Sequence, residues 1–270
     1  MGNLETLWEP AFITSKLLHR KIAHDDFPSG FPSGSSSQYA AVVVNQPIED
    51  QQLLLDILAG ATLTVFADGA ANYVKDLKLT EPEEQNTIPD FICGDLDSIR
   101  PEVRAHYKEK GTKVIQDLDQ YSSDLTKSLR CVEKNIQSPM HAVIIGGIGG
   151  RFDQGFSQLH HLYTVSHESM LPHGQIFLVN PQSICFLLQK GPNRISTPVG
   201  PGLFAENIGI IPIGRPSVIN TKGLEWDVTD WHTEIGGQVS TSNHIKRETI
   251  EVETSERVLF TIEMDRSQEQ

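Results

Sequence analysis

Four polar groups in the chain follow short apolar runs, which is where open α/β sheets bind their ligands. After residues 64–67 comes Asp68-Gly69-Ala70-Ala71-Asn72, with Asp68 at a strand tip and Gly69 able to turn sharply into a helix. After residues 89–93 comes Gly94-Asp95-Leu96-Asp97-Ser98. If that backbone stays extended, Asp95 and Asp97 share one face and can grip one cation. Magnesium takes one or two carboxylates together with phosphate oxygens and water, and this pair offers such a set. The same spacing also describes an Asp-rich turn with no metal.

The third group is Asp117-Leu118-Asp119-Gln120-Tyr121-Ser122-Ser123-Asp124-Leu125-Thr126-Lys127. Ser123 resembles an N-cap, which places Asp124 in a first helical turn and Lys127 on the same helical face. An acid there is also favoured by the helix dipole whatever the function. The fourth is Ile144-Ile145-Gly146-Gly147-Ile148-Gly149-Gly150-Arg151-Phe152-Asp153-Gln154, where glycines allow close backbone approach and Arg151 offers a planar fork to phosphate. It lacks the Lys-Ser/Thr ending of a Walker loop and the spacing of the dinucleotide fingerprint, so a purely structural turn stays open. His160 and His161 are adjacent, point in different directions on a helix, and are read as structural.

The elements that must carry these groups follow from hydrophobic patterning. Apolar runs at 40–44, 62–66, 91–93, 114–115, 142–145 and 176–179 alternate with helical candidates at 49–58, 71–77, 101–110, 123–136 and 153–166. This predicts an α/β domain over 39–180 with a mainly parallel sheet. Beyond it, short β-prone segments at 184–188, 208–213, 239–242 and 258–262 predict a smaller all-β domain over 181–270. Residues 1–38 contain a Pro/Ser/Gly-rich stretch at 28–37 and read as a flexible extension.

Composition narrows the function. The chain's 270 residues are enough for two modest cores, and no apolar run approaches the roughly 20 residues of a spanning helix. Its 22 basic against 35 acidic residues give a charge of -13, which disfavours extended nucleic acid as a partner but leaves a magnesium-masked phosphate ligand possible. Cys93, Cys131 and Cys185 show no Cys-x-x-Cys pairing, so neither a disulfide framework nor a zinc site is expected. The first ten residues do not read as a secretory signal, so export is not expected, and the unpaired cysteines fit the expectation of a reducing, cytoplasmic location.

Taken in order, Ala67-Asp68-Gly69, Gly94-Asp95-Leu96-Asp97-Ser98, Asp119-Gln120 with Asp124 and Lys127, and Gly149-Gly150-Arg151-Phe152-Asp153-Gln154 resemble the thiamine pyrophosphokinase family. Gly223-Leu224-Glu225-Trp226-Asp227 and Val239-Ser240-Thr241-Ser242-Asn243 are similar to its eukaryotic thiamine-binding signature. The resemblance implies an amino-terminal α/β domain, a carboxy-terminal β-sandwich, and a homodimer with the active site between subunits. It also implies a magnesium site at Asp95, Asp97 and Asp124, with further active-site acids at Asp68 and Asp153. Gln120 matches a residue near the thiamine pyrimidine, Trp226 and Ser240 match the thiamine-contacting end, and Gly69 and Arg151 belong to the nucleotide-side motifs. Three features depart from the family: Ala70 replaces a common second glycine, Tyr121 and Ser122 replace a common acid and histidine, and residues 1–38 have no clear counterpart.

The implied reaction passes the diphosphate of ATP to the thiamine hydroxyl and releases AMP. Lys127 and Arg151 would draw off developing charge, and Asp97 or Asp124 would accept the hydroxyl proton. A thiazolium over the Trp226 indole would gain roughly 0.5 to 2 kcal/mol, although Trp226 also suits a core position. Two alternatives are a magnesium-ATP pyrophosphokinase for another alcohol and a non-catalytic thiamine-binding protein.

Overall fold

The computed structural model describes residues 5–14, 38–168, 174–200 and 203–266. The chain divides into two compact units, one spanning 36–181 and one joining 1–35 to 182–270. Strand β1 (Thr6–Trp8) opens the described chain and belongs to the latter unit.

The 36–181 unit is built on six parallel strands: β2 (Tyr39–Val43), β3 (Leu63–Ala67), β4 (Phe91–Gly94), β5 (Lys113–Gln116), β6 (His141–Ile145) and β7 (Ile176–Val179). Their order in the sheet is β7-β6-β2-β3-β4-β5. The chain therefore runs outward from β2 to β5, returns to the other side of β2 as β6, and reverses direction there. That reversal between β2 and β6 is a topological switch point, where the loops beyond the strands part and leave room for a ligand. β2 reads Tyr-Ala-Ala-Val-Val and is buried throughout, as a strand covered on both faces must be.

Six helices flank the sheet: α1 (Gln51–Gly60), α2 (Ala70–Lys75), α3 (Glu81–Asn86), α4 (Pro101–Glu109), α5 (Asp124–Asn135) and α6 (Phe152–Glu168). Asp50 caps α1 by accepting the Leu53 N–H at 2.8 Å. The α1 side chains Leu54 and Ile57 are fully buried, and the Tyr39 hydroxyl donates to the Ile57 carbonyl at 2.7 Å, tying helix to sheet. Ser123 caps α5 as expected, accepting the Thr126 N–H at 3.2 Å. α3 was not expected. It buries none of its residues and is held by a capping box between Thr80 and Glu83, so it lacks the apolar stripe that periodicity detects.

The other unit is β-rich, with β8 (Ser183–Leu188), β9 (Gly191–Ser196), β10 (Phe204–Ile211), β11 (Ser217–Lys222), β12 (Trp231–Thr233), β13 (Ser240–His244), β14 (Thr249–Thr254) and β15 (Val258–Met264). One sheet runs β1-β9-β14-β11-β12, and the strands of the other lie in the order β13-β10-β15-β8. Trp8 of the first stacks on Phe186 of the second at 4.7 Å, and Phe186 packs on Phe260 at 5.2 Å, so the two sheets share one aromatic core.

The leading segment, expected as a flexible extension, contributes a strand at Thr6–Trp8. Trp8 is 4% exposed and its Nε1 donates to Asn193 Oδ1 at 3.0 Å, which offsets the entropy of ordering a short strand. The Pro/Ser/Gly-rich stretch at 28–37 lies outside the described residues. Cys93, Cys131 and Cys185 are free and buried. No helix among the described residues is long and apolar enough to cross a membrane.

Candidate functional site

Asp68 sits just beyond β3 with a positive φ of 42°, a strained setting for a non-glycine residue at a strand tip. Its side chain is fully buried, and both carboxylate oxygens accept backbone N–H groups, from Ser98 and Ile99, each at 3.1 Å. Asp68 thereby holds the loop that follows β4. Burial pushes its carboxyl above the usual range despite those two donors, and the Asp124 charge adds to the shift.

That loop carries Asp95, and α5 brings Asp124 from the far side. One carboxylate oxygen from each of Asp68, Asp95 and Asp124 lies within 4.8 Å of the other two, the one cluster of this kind among the described residues. Burial raises the Asp124 carboxyl, Lys127 opposes the shift and Asp95 reinforces it. Burial also acts to raise Asp95, but the Asp97 N–H and the Lys127 charge outweigh it and hold Asp95 below the ordinary value. Lys127 Nζ stands 3.6 Å from Asp95 Oδ2 and 3.4 Å from Asp124 Oδ1 on a side chain only 2% exposed. One buried ammonium thus pairs with two of the three clustered carboxylates, and the excess negative charge favours a further cation.

Asp97 stands outside this cluster. The expectation that Asp95 and Asp97 share one face required an extended backbone, but Leu96 between them has φ 66°. The chain turns there, and the exposed Asp97 carboxylate accepts the Ser98 hydroxyl at 2.8 Å instead. Gly69 also differs from expectation: it stands at the N-cap of α2 with ordinary helical angles, while the left-handed turn falls on Asp68. What Gly69 supplies is space, since a Cβ there would meet the Asn45 amide at 2.7 Å.

A cavity of about 470 Å³ opens beside the cluster, lined by Asn45 and Gln46 after β2, Asp124 at the start of α5, and Arg151 and Gln154 at the start of α6. Two helix N-termini facing one cavity suit an anionic ligand. Arg151 reaches the cavity rim and pairs bidentately with Asp153 at 3.1 and 2.6 Å, both side chains being mostly exposed. Solvent screens so exposed a pair, so a phosphate can displace Asp153 readily. Gln120 is exposed on the turn before α5 and does not line this cavity.

The sequence did not single out Gln46. With its amide oriented to donate, Nε2 bonds the Gly146 and Gly149 carbonyls at 2.8 and 3.1 Å and pins the glycine-rich turn. His161, read as structural, lines the cavity with Ser157, 3.4 Å away. Only the approach of β2 to that turn reveals Gln46, whereas His161 had a signal in lying seven residues after Gln154, two turns along one helical face.

In the β-rich unit, Trp226 and Ser240 border a separate cavity of about 270 Å³. Trp226 is 55% exposed, which removes the core alternative for it. Trp231 lines the same cavity and was not singled out.

Comparison with known proteins matches residues 54–171 to the family described as "Thiamin pyrophosphokinase, catalytic domain" and residues 193–259 to "Thiamin pyrophosphokinase, vitamin B1 binding domain". The chain is 35% identical over 244 residues to thiamine pyrophosphokinase 2 of Arabidopsis thaliana, covering 86% of this chain and 88% of the relative. It is 28% identical over 271 residues to thiamine pyrophosphokinase of Saccharomyces cerevisiae, covering 83% and 84%. Among solved structures it is similar to thiamin pyrophosphokinase from Candida albicans, with a TM-score of 0.78, 26% identity, and 98% of this chain and 95% of that one covered.

Proposed function

The chain belongs to the thiamine pyrophosphokinase family, and on that premise we propose that it transfers the diphosphate of ATP to the thiamine hydroxyl, giving thiamine diphosphate and AMP. The observation that carries the chemistry is the cluster of Asp68, Asp95 and Asp124 with buried Lys127. Transfer to phosphorus is catalysed mainly by positioning and charge stabilisation, and these residues stand beside a cavity fitted to an anion.

The donor set suits magnesium, being hard carboxylate oxygens with net negative charge to spare. Asp68, Asp95 and Asp124 would hold the ion, which when bound supplies charge neutralisation at the phosphates. Asp68 is also committed to the loop N–H groups, so it sets where Asp95 stands.

In the reaction the thiamine oxygen forms a bond to the β-phosphorus of ATP. The bridging bond from that phosphorus to the α-phosphate oxygen breaks, and the electron pair leaves with AMP. Lys127 and Arg151 stabilise the charge that develops on the oxygens. The hydroxyl proton passes to a carboxylate, Asp97 or Asp124; Asp97 is the one outside the cluster. Asp153 holds the Arg151 fork until phosphate takes it. Trp226 and Ser240 form the thiamine-contacting wall, with Gln120 near the pyrimidine.

A homodimer with its active site between subunits and a cytoplasmic location belong to the same reading, with neither nucleic acid nor membrane as a partner. Light scattering and cell fractionation test these parts. For the reaction, purified protein is incubated with magnesium, ATP and thiamine and the products are separated chromatographically. Equal amounts of thiamine diphosphate and AMP are expected; ADP in place of AMP would overturn the assignment, and a panel of other alcohols checks the acceptor.

A further inference from the structure

Trp226 is exposed, yet its surroundings hold it firmly. Its N–H donates to Asn243 Oδ1 at 3.2 Å and its carbonyl accepts from Asn243 Nδ2 at 3.0 Å, and Asn243 is itself buried. These bonds fix the backbone but leave the indole two side-chain rotations. The ring is met by His244, whose imidazole lies 5.0 Å away between centroids with planes inclined at 47°.

His244 is not among the residues lining the 270 Å³ cavity, so it touches the indole from outside that space. Its own ring is tied: Nδ1 lies 2.7 Å from Glu225 Oε2. The Glu225 N–H also donates to the His244 carbonyl at 2.9 Å. Lys246 Nζ approaches the same Glu225 oxygen at 2.9 Å, so the carboxylate that orients the imidazole is held in turn. The sequence Trp226, His244, Glu225, Lys246 forms a relay of contacts ending on the wall of the cavity.

We propose that His244 is a positioning residue that presents the Trp226 indole to the cationic ring of thiamine, with Glu225 fixing the imidazole. The inference rests on the reading of Trp226 as a thiamine contact. Without the brace the indole samples other rotamers, and ordering it falls on the binding step. The effect reaches thiamine affinity alone, because none of these side chains belongs to the phosphate-binding unit.

The test uses the full-length protein and steady-state kinetics for both substrates. His244→Ala is expected to raise the thiamine KM about two- to tenfold, the range an aromatic contact controls, with the ATP KM and kcat unchanged. His244→Phe keeps a ring against the indole but loses the bond to Glu225, so it should raise the thiamine KM less than His244→Ala does. An unchanged thiamine KM in His244→Ala, or an equal rise for both substrates, overturns the proposal. If His244→Ala melts below assay temperature, Glu225→Gln must itself raise the thiamine KM, and no rise overturns the proposal. Trp226→Ala separates the two readings. If it raises the thiamine KM while His244→Ala does not, only the role of His244 is lost. If it leaves the thiamine KM unchanged, the assignment of Trp226 goes, and that of His244 with it.

Discussion

Gly94 and Asp68 stand so close that a Cβ added to Gly94 would meet the Asp68 Cβ at 2.6 Å. The same Cβ would lie 3.2 Å from Asp124 Oδ1. The absent side chain of Gly94 is therefore what lets Asp68 at the β3 tip and Asp124 at the start of α5 approach each other. Gly94→Ala should force the β4 tip away from Asp68, destabilise the fold by about 1–3 kcal/mol as overpacking does, and sharply lower AMP release. Urea denaturation and a coupled AMP assay measure both, and wild-type values in each would show that the approach is not needed.

Asp68 does structural work that an amide cannot repeat. Both of its oxygens accept N–H groups, so in Asp68→Asn one N–H faces a second donor. A loss of about 1–3 kcal/mol is expected, read as a lower urea midpoint with unchanged slope. An unaltered midpoint would mean that the loop after β4 stands without this carboxylate.

The pH dependence has a definite sign. Burial first of all raises the carboxyls of Asp68 and Asp124 above 3.8, so between that value and their folded values the folded state holds more protons than the unfolded chain. Metal-free stability from these two groups should fall as pH rises through that window and level off above it. Asp95 opposes them: its carboxyl is lowered, so its contribution is present above 3.8 and lost as pH falls through its folded value. Magnesium needs the ionised forms, so the thermal shift it gives should grow as pH rises through the same window. A shift that shrinks with rising pH would contradict the cluster as the binding site.

Asp97 distinguishes the observed cluster from the one expected from spacing. Isothermal titration with magnesium and a non-hydrolysable ATP analogue should show Asp97→Asn binding within about twofold of wild type, and Asp95→Asn weaker by about tenfold or more, as loss of a ligand costs over 1.4 kcal/mol. Equal losses would return Asp97 to the ligand set.

Much of this site was legible in the sequence because its signals are local. Ser123 followed by Asp124 announces a helix start, and the apolar runs of β3 and β4 announce strand tips with Asp68 and Asp95 just beyond them. What stayed hidden depends on approach in three dimensions. The positive φ of Leu96 breaks the alternation that would have aligned Asp97 with Asp95, and nothing in the residue type leucine announces it. Gln46 acquires its role from carbonyls about 100 positions on, and Trp8 from Asn193, 185 positions away. β1 is three residues long, too short for periodicity to mark, and only its partner β9 makes it a strand.

The central claim is that Asp68, Asp95 and Asp124 act together on the phosphates of ATP, and Asp124→Asn tests it most directly. Asparagine keeps the shape of the side chain and its place beside Ser123, so the variant should fold, as circular dichroism can verify. With saturating magnesium, ATP and thiamine, its rate of AMP release should fall by about 10² or more, the loss seen when a main electrostatic group is removed from a transition state. A folded Asp124→Asn protein releasing AMP at near the wild-type rate would contradict the account.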